Sequence, residues 1–203
     1  MNSWSTRINE FRKVSLNPAF IDSRAIAEES AKDLLNRMCG RFTEHGLIRF
    51  LDLINTEKVP PNLYTNGLRA HDTRTRFQLS FIGKNRNDII ESIGEFNRWI
   101  PALWQSTDDT HDALDQFWEK SMVKGAGIGL PTMIMYLKDP LKYNVWLPFL
   151  AKALETLIDR TFYRAMSATN YMIFNEAVNE YLRRPFGLKP QEIDYVLYRI
   201  GRS

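Results

Sequence analysis

Val123-Lys124-Gly125-Ala126-Gly127-Ile128-Gly129-Leu130-Pro131-Thr132 places three glycines at alternate positions between two apolar helical patterns. The run that follows, Met133-Ile134-Met135-Tyr136-Leu137, has the apolarity of a buried helix. Glycine lacks a Cβ, so such a turn reaches φ > 0 and brings backbone N–H groups close to a bound anion. A helix beginning at its end points free N–H groups and a positive dipole end in the same direction. Phosphate is the ligand that suits this chemistry, with Lys124 adding charge beside it, and a phosphate of DNA is the leading expectation. The competing reading is a turn that only lets two helices pack tightly.

Outward from the turn, most of the chain reads as helix. Thr110 is placed to cap a helix running to Met122, with Leu114, Phe117, Trp118 and Met122 inward. Earlier, Ile26, Ala27, Ser30, Ala31, Leu34, Leu35 and Met38 recur at helical spacing over 23–38, and Leu47, Ile48, Leu51 and Ile54 mark a shorter helix before Pro60-Pro61. Ile89, Ile90, Ile93, Phe96, Asn97 and Ile100 form one stripe over 87–104, which Pro101 is expected to kink or end. After the turn, a helix is expected to reach Lys138 and stop at Asp139-Pro140. Further helices are expected over about 146–164 and 166–183. Lys189-Pro190-Gln191-Glu192 has a proline and a glutamate where a helix start favours them. Residues 77–82 suit a short strand or a buried extended segment. The expectation is an all-α, compact multi-helix domain.

Composition narrows the class. The 203 residues are 44% hydrophobic and 25% charged, values of a globular chain with a substantial core. No apolar run approaches the roughly 20 residues of a membrane span, and the first residues lack the apolar core of a signal peptide, so a cytoplasmic location without membrane association is expected. The single cysteine, Cys39, excludes an intramolecular disulfide and a cysteine-based metal cluster. With His45, His71 and His111 as its histidines, the chain offers no recognisable metal-ligand spacing, and no metal site is expected. The net charge of +3 is only mildly basic. Its distribution says more, because Arg69, Arg74, Arg76, Lys84 and Arg86 fall in one segment, while Asp108, Asp109, Asp112, Asp115 and Glu119 follow in another. The basic segment reads equally as a patch for a polyanion or as a solvated loop.

Gly127-Ile128-Gly129-x-x-Thr132, between a helix and an apolar helix, resembles the hairpin of the helix-hairpin-helix DNA glycosylases, whose turn reads L-P-G-V-G-x-x-T-A. The likeness extends through Tyr143-Asn144-Val145-Trp146 and a helix with Ala153-Leu154, about Phe117 to Leu157 in all. It implies a single helical domain over 1–203, as one body or two lobes sharing a core, with a helix-hairpin-helix at about 110–138. It implies that Gly125, Gly127 and Gly129 hold a DNA backbone phosphate and that Thr132 packs the second helix. No cofactor is implied beyond a monovalent cation at the hairpin. Two positions depart from the family pattern. Trp146 stands where the family carries its catalytic aspartate, and Leu130-Pro131 where bifunctional members carry a lysine.

Cleaving an N-glycosidic bond builds positive charge on the sugar, which calls for a carboxylate or a polar group that orients water. Asp139 and Asn144 are the nearest candidates, each with a turn role as the alternative. Glu155 and Asp159, one turn apart, are a further carboxylate pair or simply solvent-facing charges. An extruded base needs aromatic surfaces, and Tyr143 and Trp146 are the candidate pocket, against ordinary core packing. Lys124, Arg74, Arg76 and Lys84 join the glycines and Thr132 as candidate DNA contacts. Three functions remain open: base excision from damaged or modified DNA, in repair or in defence against phage; a non-catalytic DNA or modified-base reader that acts with a partner protein; and a helical protein-interaction domain.

Overall fold

A computed structural model describes residues 3–15, 18–54, 84–106, 110–162 and 165–201. The helices are α1 (Ser3–Ser15), α2 (Pro18–Met38), α3 (Glu44–Ile54), α4 (Lys84–Glu91), α5 (Ile93–Gln105), α6 (Thr110–Lys120), α7 (Gly129–Lys138), α8 (Pro148–Ile158), α9 (Ala168–Val178), α10 (Arg184–Phe186) and α11 (Pro190–Ile200). A π-helical stretch, Asn179–Arg183, joins α9 to α10. The described residues contain no strand, and the fold is all-α. Among them no helix is long and apolar enough to cross a membrane. Residues 77–82, the candidate strand, lie outside the described residues.

The architecture is organised around α7. Every residue from Gly129 to Leu137 is buried, as expected of a helix that is apolar on all sides and short of polar residues. It packs chiefly on α5 and α2, while α11 lies against α8, α1 and α2, and α6 against α5 and α9. The buried side chains form one contiguous core that runs from Ile8 in α1 to Ile200 in α11. One aromatic group in it joins Phe42, Phe50 and Phe96. Another gathers Trp118, Tyr171 and Phe174 around Trp146.

Several boundaries differ from the sequence expectation, among them the end of α6, which stops at Lys120 and leaves Met122 exposed rather than inward. Pro101 sits inside α5, and the helical stripe breaks earlier, at Ser92. There the Ser92 hydroxyl donates to the Asp88 carbonyl (2.7 Å) and accepts the Lys124 N–H (3.2 Å), a tertiary bond that holds the break in place. The helix expected from 146 begins at Pro148, because Leu147 is extended and proline suits the first helical position. It ends at Asp159, which adopts φ 52°. α11 starts as its sequence suggested, with the Glu192 carboxylate accepting the Lys189 N–H at 2.6 Å.

Candidate functional site

The glycine turn occupies residues 121–128 between α6 and α7. Val123 and Ala126 anchor it in the core, whereas Lys124 and Gly127 face solvent. Gly125 (φ 76°) and Gly127 (φ 51°) both take the left-handed conformation, for different reasons. A Cβ on Gly125 would lie 2.5 Å from the Asn85 carbonyl oxygen, so that glycine permits a close backbone approach to α4. A Cβ on Gly127 would meet nothing within 4 Å. Its conformation alone calls for glycine, and its backbone is open to solvent.

Part of the turn's hydrogen bonding is internal. Ala126 N–H donates to Val123 O and Leu130 N–H to Ala126 O. Gly127 O accepts the Trp118 indole N–H at 3.3 Å. The N–H groups of Gly125, Gly127, Ile128 and Gly129 have no partner among the described residues. No side chain caps α7 at Ile128 either. Gly129 is buried and Gly125 half-buried, which leaves Gly127 as the most open donor. An uncapped helix start with such donors favours an anion. Thr132 plays a different part. It is fully buried, its hydroxyl donates to Ile128 O (2.9 Å) and accepts Trp146 N–H (3.1 Å), and it ties the start of α7 to the chain entering α8.

The fold brings Lys84 to this turn from 40 positions away. Lys84 opens α4 beside Asn85, the residue whose backbone abuts Gly125. Lys84, Lys120 and Lys124 are all exposed, with no ion pair among the described residues. Arg86 is engaged elsewhere, donating to Asp52 at 2.8 Å. Glu91 and Glu119 are exposed on the same helices and moderate the positive charge. Arg74 and Arg76 lie outside the described residues.

Asp139, Asn144, Tyr143, Trp146 and Glu155, candidates for chemistry or a base pocket, are all engaged in holding the fold. The Asp139 carboxylate accepts the N–H groups of Leu141 (3.1 Å) and Lys142 (3.2 Å), closing the turn after α7. Asn144 is 3% exposed. Its Nδ2 donates to Asn175 Oδ1 (2.7 Å), its Oδ1 accepts Arg183 Nη2 (2.9 Å), and its carbonyl accepts the Tyr171 hydroxyl (3.0 Å). Burial holds the Tyr171 hydroxyl well above the usual phenol range. Tyr143 is buried with its hydroxyl 3.0 Å from Thr110 Oγ1. Trp146 is wholly buried, with Phe174 stacked on it at 6.2 Å and Trp118 edge-on at 6.0 Å. The small cavity that Asn144 lines has a volume of about 10 Å³, room for one water and not for a base. Glu155 accepts the Phe162 N–H at 2.8 Å, and Asp159 lies beyond the helix end, so the two do not share a helical face.

Sequence reasoning missed a buried ionic cluster between α2, α7 and α11. Arg24 donates to Glu28 (2.9 Å), to Asp194 and to the Gln191 carbonyl (3.1 Å). The Tyr136 hydroxyl donates to Glu28 at 2.6 Å, and Gln191 Nε2 to the other Glu28 oxygen at 2.7 Å. Burial alone would lower the Arg24 pKa, but the carboxylates of Asp194 and Glu28 outweigh it and hold the guanidinium firmly protonated. One signal was available: Arg24 and Glu28 fall, four apart, on the apolar stripe with Ala27 and Ala31. Cys39 is half-buried, and burial pushes its thiol upward, which disfavours the reactive thiolate.

No family model matches the chain, and no curated protein or solved structure is significantly similar to it.

Proposed function

We propose that the chain is a DNA-binding module that grips a backbone phosphate at the glycine turn. The observation that carries this reading is the set of unpartnered N–H groups at the uncapped start of α7, with exposed Lys84 and Lys124 on the two elements that meet at Gly125. Backbone N–H groups and lysines recognise phosphate without reading sequence. Base excision receives less support. Asp139 and Asn144 already have turn and network partners, and Tyr143 and Trp146 are closed in the core. The module therefore acts by binding, with a partner protein supplying any chemistry.

The test is a titration of labelled duplexes carrying normal, damaged or glucosylated bases, followed by alkali. Saturable, salt-sensitive binding that leaves every strand intact is the expected result. Alkali-labile breaks at one modified base would return the reading to base excision. Absence of binding at low salt would favour a protein-interaction domain.

A further inference from the structure

A second cleft, built from elements the glycine turn does not use, lies between α1, the end of α8 and the π-helical stretch. Its volume is about 410 Å³, within the range of small-molecule sites. Three aromatic residues line it: Trp4, Tyr181 and Phe186. Leu157 and Ile158 add aliphatic surface, and Ser5 a hydroxyl. The remaining lining residue is Asp159, whose carboxylate is exposed and has no ion-pair partner among the described residues. Among the described residues no basic side chain contributes to the lining.

Two backbone irregularities meet at this cleft. Asp159 holds φ 52° and ψ 46° at a helix end where glycine is the usual choice. It is the sole non-glycine residue with positive φ among those described. Tyr181 is carried by the π-helical stretch Asn179–Arg183. Arg183 fastens that stretch to the loop after α7, donating to Pro140 O (2.8 Å) and to Leu141 O. Unfavourable left-handed residues and π-helical insertions both concentrate at functional sites. Here each supplies a lining residue.

The chemistry of the lining selects charge and then type. Aromatic faces are electron-rich, and with one carboxylate they attract a cation and repel phosphate. Trp4 already receives one cation, because the Arg7 guanidinium lies 5.0 Å from its ring centroid. Arg7 itself is not among the described lining residues. A primary ammonium would give up three hydrogen bonds to water and find few acceptors here, whereas a methylated ammonium has none or fewer to lose. We propose that this cleft binds a methylated ammonium group, its charge held by Trp4, Tyr181, Phe186 and Asp159 and its apolar stem by Leu157 and Ile158. The group belongs either to a free small molecule or to a methylated lysine side chain.

The test is calorimetric titration of the full chain with three probes: choline, a peptide containing trimethyllysine, and 3,3-dimethylbutan-1-ol, the neutral carbon isostere of choline. Saturable binding of choline or of the peptide is expected, with the isostere about tenfold weaker than choline. Binding of choline assigns the site to a free ligand, and binding of the peptide alone to a protein side chain. Asp159→Asn keeps a residue that tolerates the left-handed conformation and removes the charge. It should weaken the cation about fivefold and leave the isostere unchanged. Trp4→Leu should abolish binding while the circular dichroism spectrum stays helical. Equal affinity for choline and its isostere, or no saturable binding of either cation, would overturn the proposal.

Discussion

Gly125 and Gly127 have the same residue type and the same sign of φ, yet their surroundings predict different responses to substitution. Gly125→Ala must add a left-handed penalty to a clash with the Asn85 carbonyl, about 3 kcal/mol together. Gly127→Ala meets open space and should lose only about 1 kcal/mol. Urea midpoints of the two variants check this, and equal losses would show that the turn is less constrained than its contacts with α4 imply. Asn144→Ala should destabilise by about 2 kcal/mol, since it strands Asn175, Arg183 and part of the buried network. The turn role of Asp139 was legible from its Asp-Pro context, whereas the network of Asn144 and the packing of Trp146 were not. Asp139, Asn144 and Trp146 were candidates for chemistry because of where they fall after the turn. The partners of Asn144 and Trp146, namely Asn175, Arg183 and Phe174, come from more than 25 positions downstream, where no local pattern points to them.

At the scale of elements, periodicity located α2, α3, α7 and α11 because each sets a continuous apolar face or a terminal signal against the core. It failed where a tertiary contact decides the outcome. The break at Ser92 depends on a bond to Lys124, and the end of α8 is hidden because Phe162 continues the apolar pattern past Asp159. The Arg24 cluster was legible only as the Arg24–Glu28 pair, because its second carboxylate, Asp194, arrives with α11. That cluster joins α2 to α11, so Arg24→Met should destabilise the chain by about 3–5 kcal/mol, leaving Glu28 and Asp194 buried without their cation. Chemical denaturation measures it, and a loss below about 1 kcal/mol would mean that α11 is held by apolar packing alone. At the end of α8, Asp159→Gly should raise stability by about 1 kcal/mol by relieving the left-handed residue. The same change should lower affinity for a methylated ammonium. A variant that gains stability and loses binding would mark Asp159 as a residue kept for its carboxylate.

For the molecule as a whole, the all-α class was legible and the arrangement around the candidate turn only partly so. The glycine spacing pointed to the turn, and the fold adds Lys84 beside it. The aromatic cleft beside α1 and α8 is lined by residues other than those of the turn, on a chain whose net charge of +3 points to neither as a binding site. The central claim concerns the turn, and the salt dependence of duplex binding tests it most directly. With Lys84, Lys120 and Lys124 at phosphates, log K should fall against log salt with a slope of about −3. In the Lys84→Gln, Lys124→Gln double variant the slope should shrink to about −1, with no change in unfolding midpoint. A double variant that binds duplex with the parent's affinity and slope would contradict the assignment of the glycine turn to a DNA phosphate.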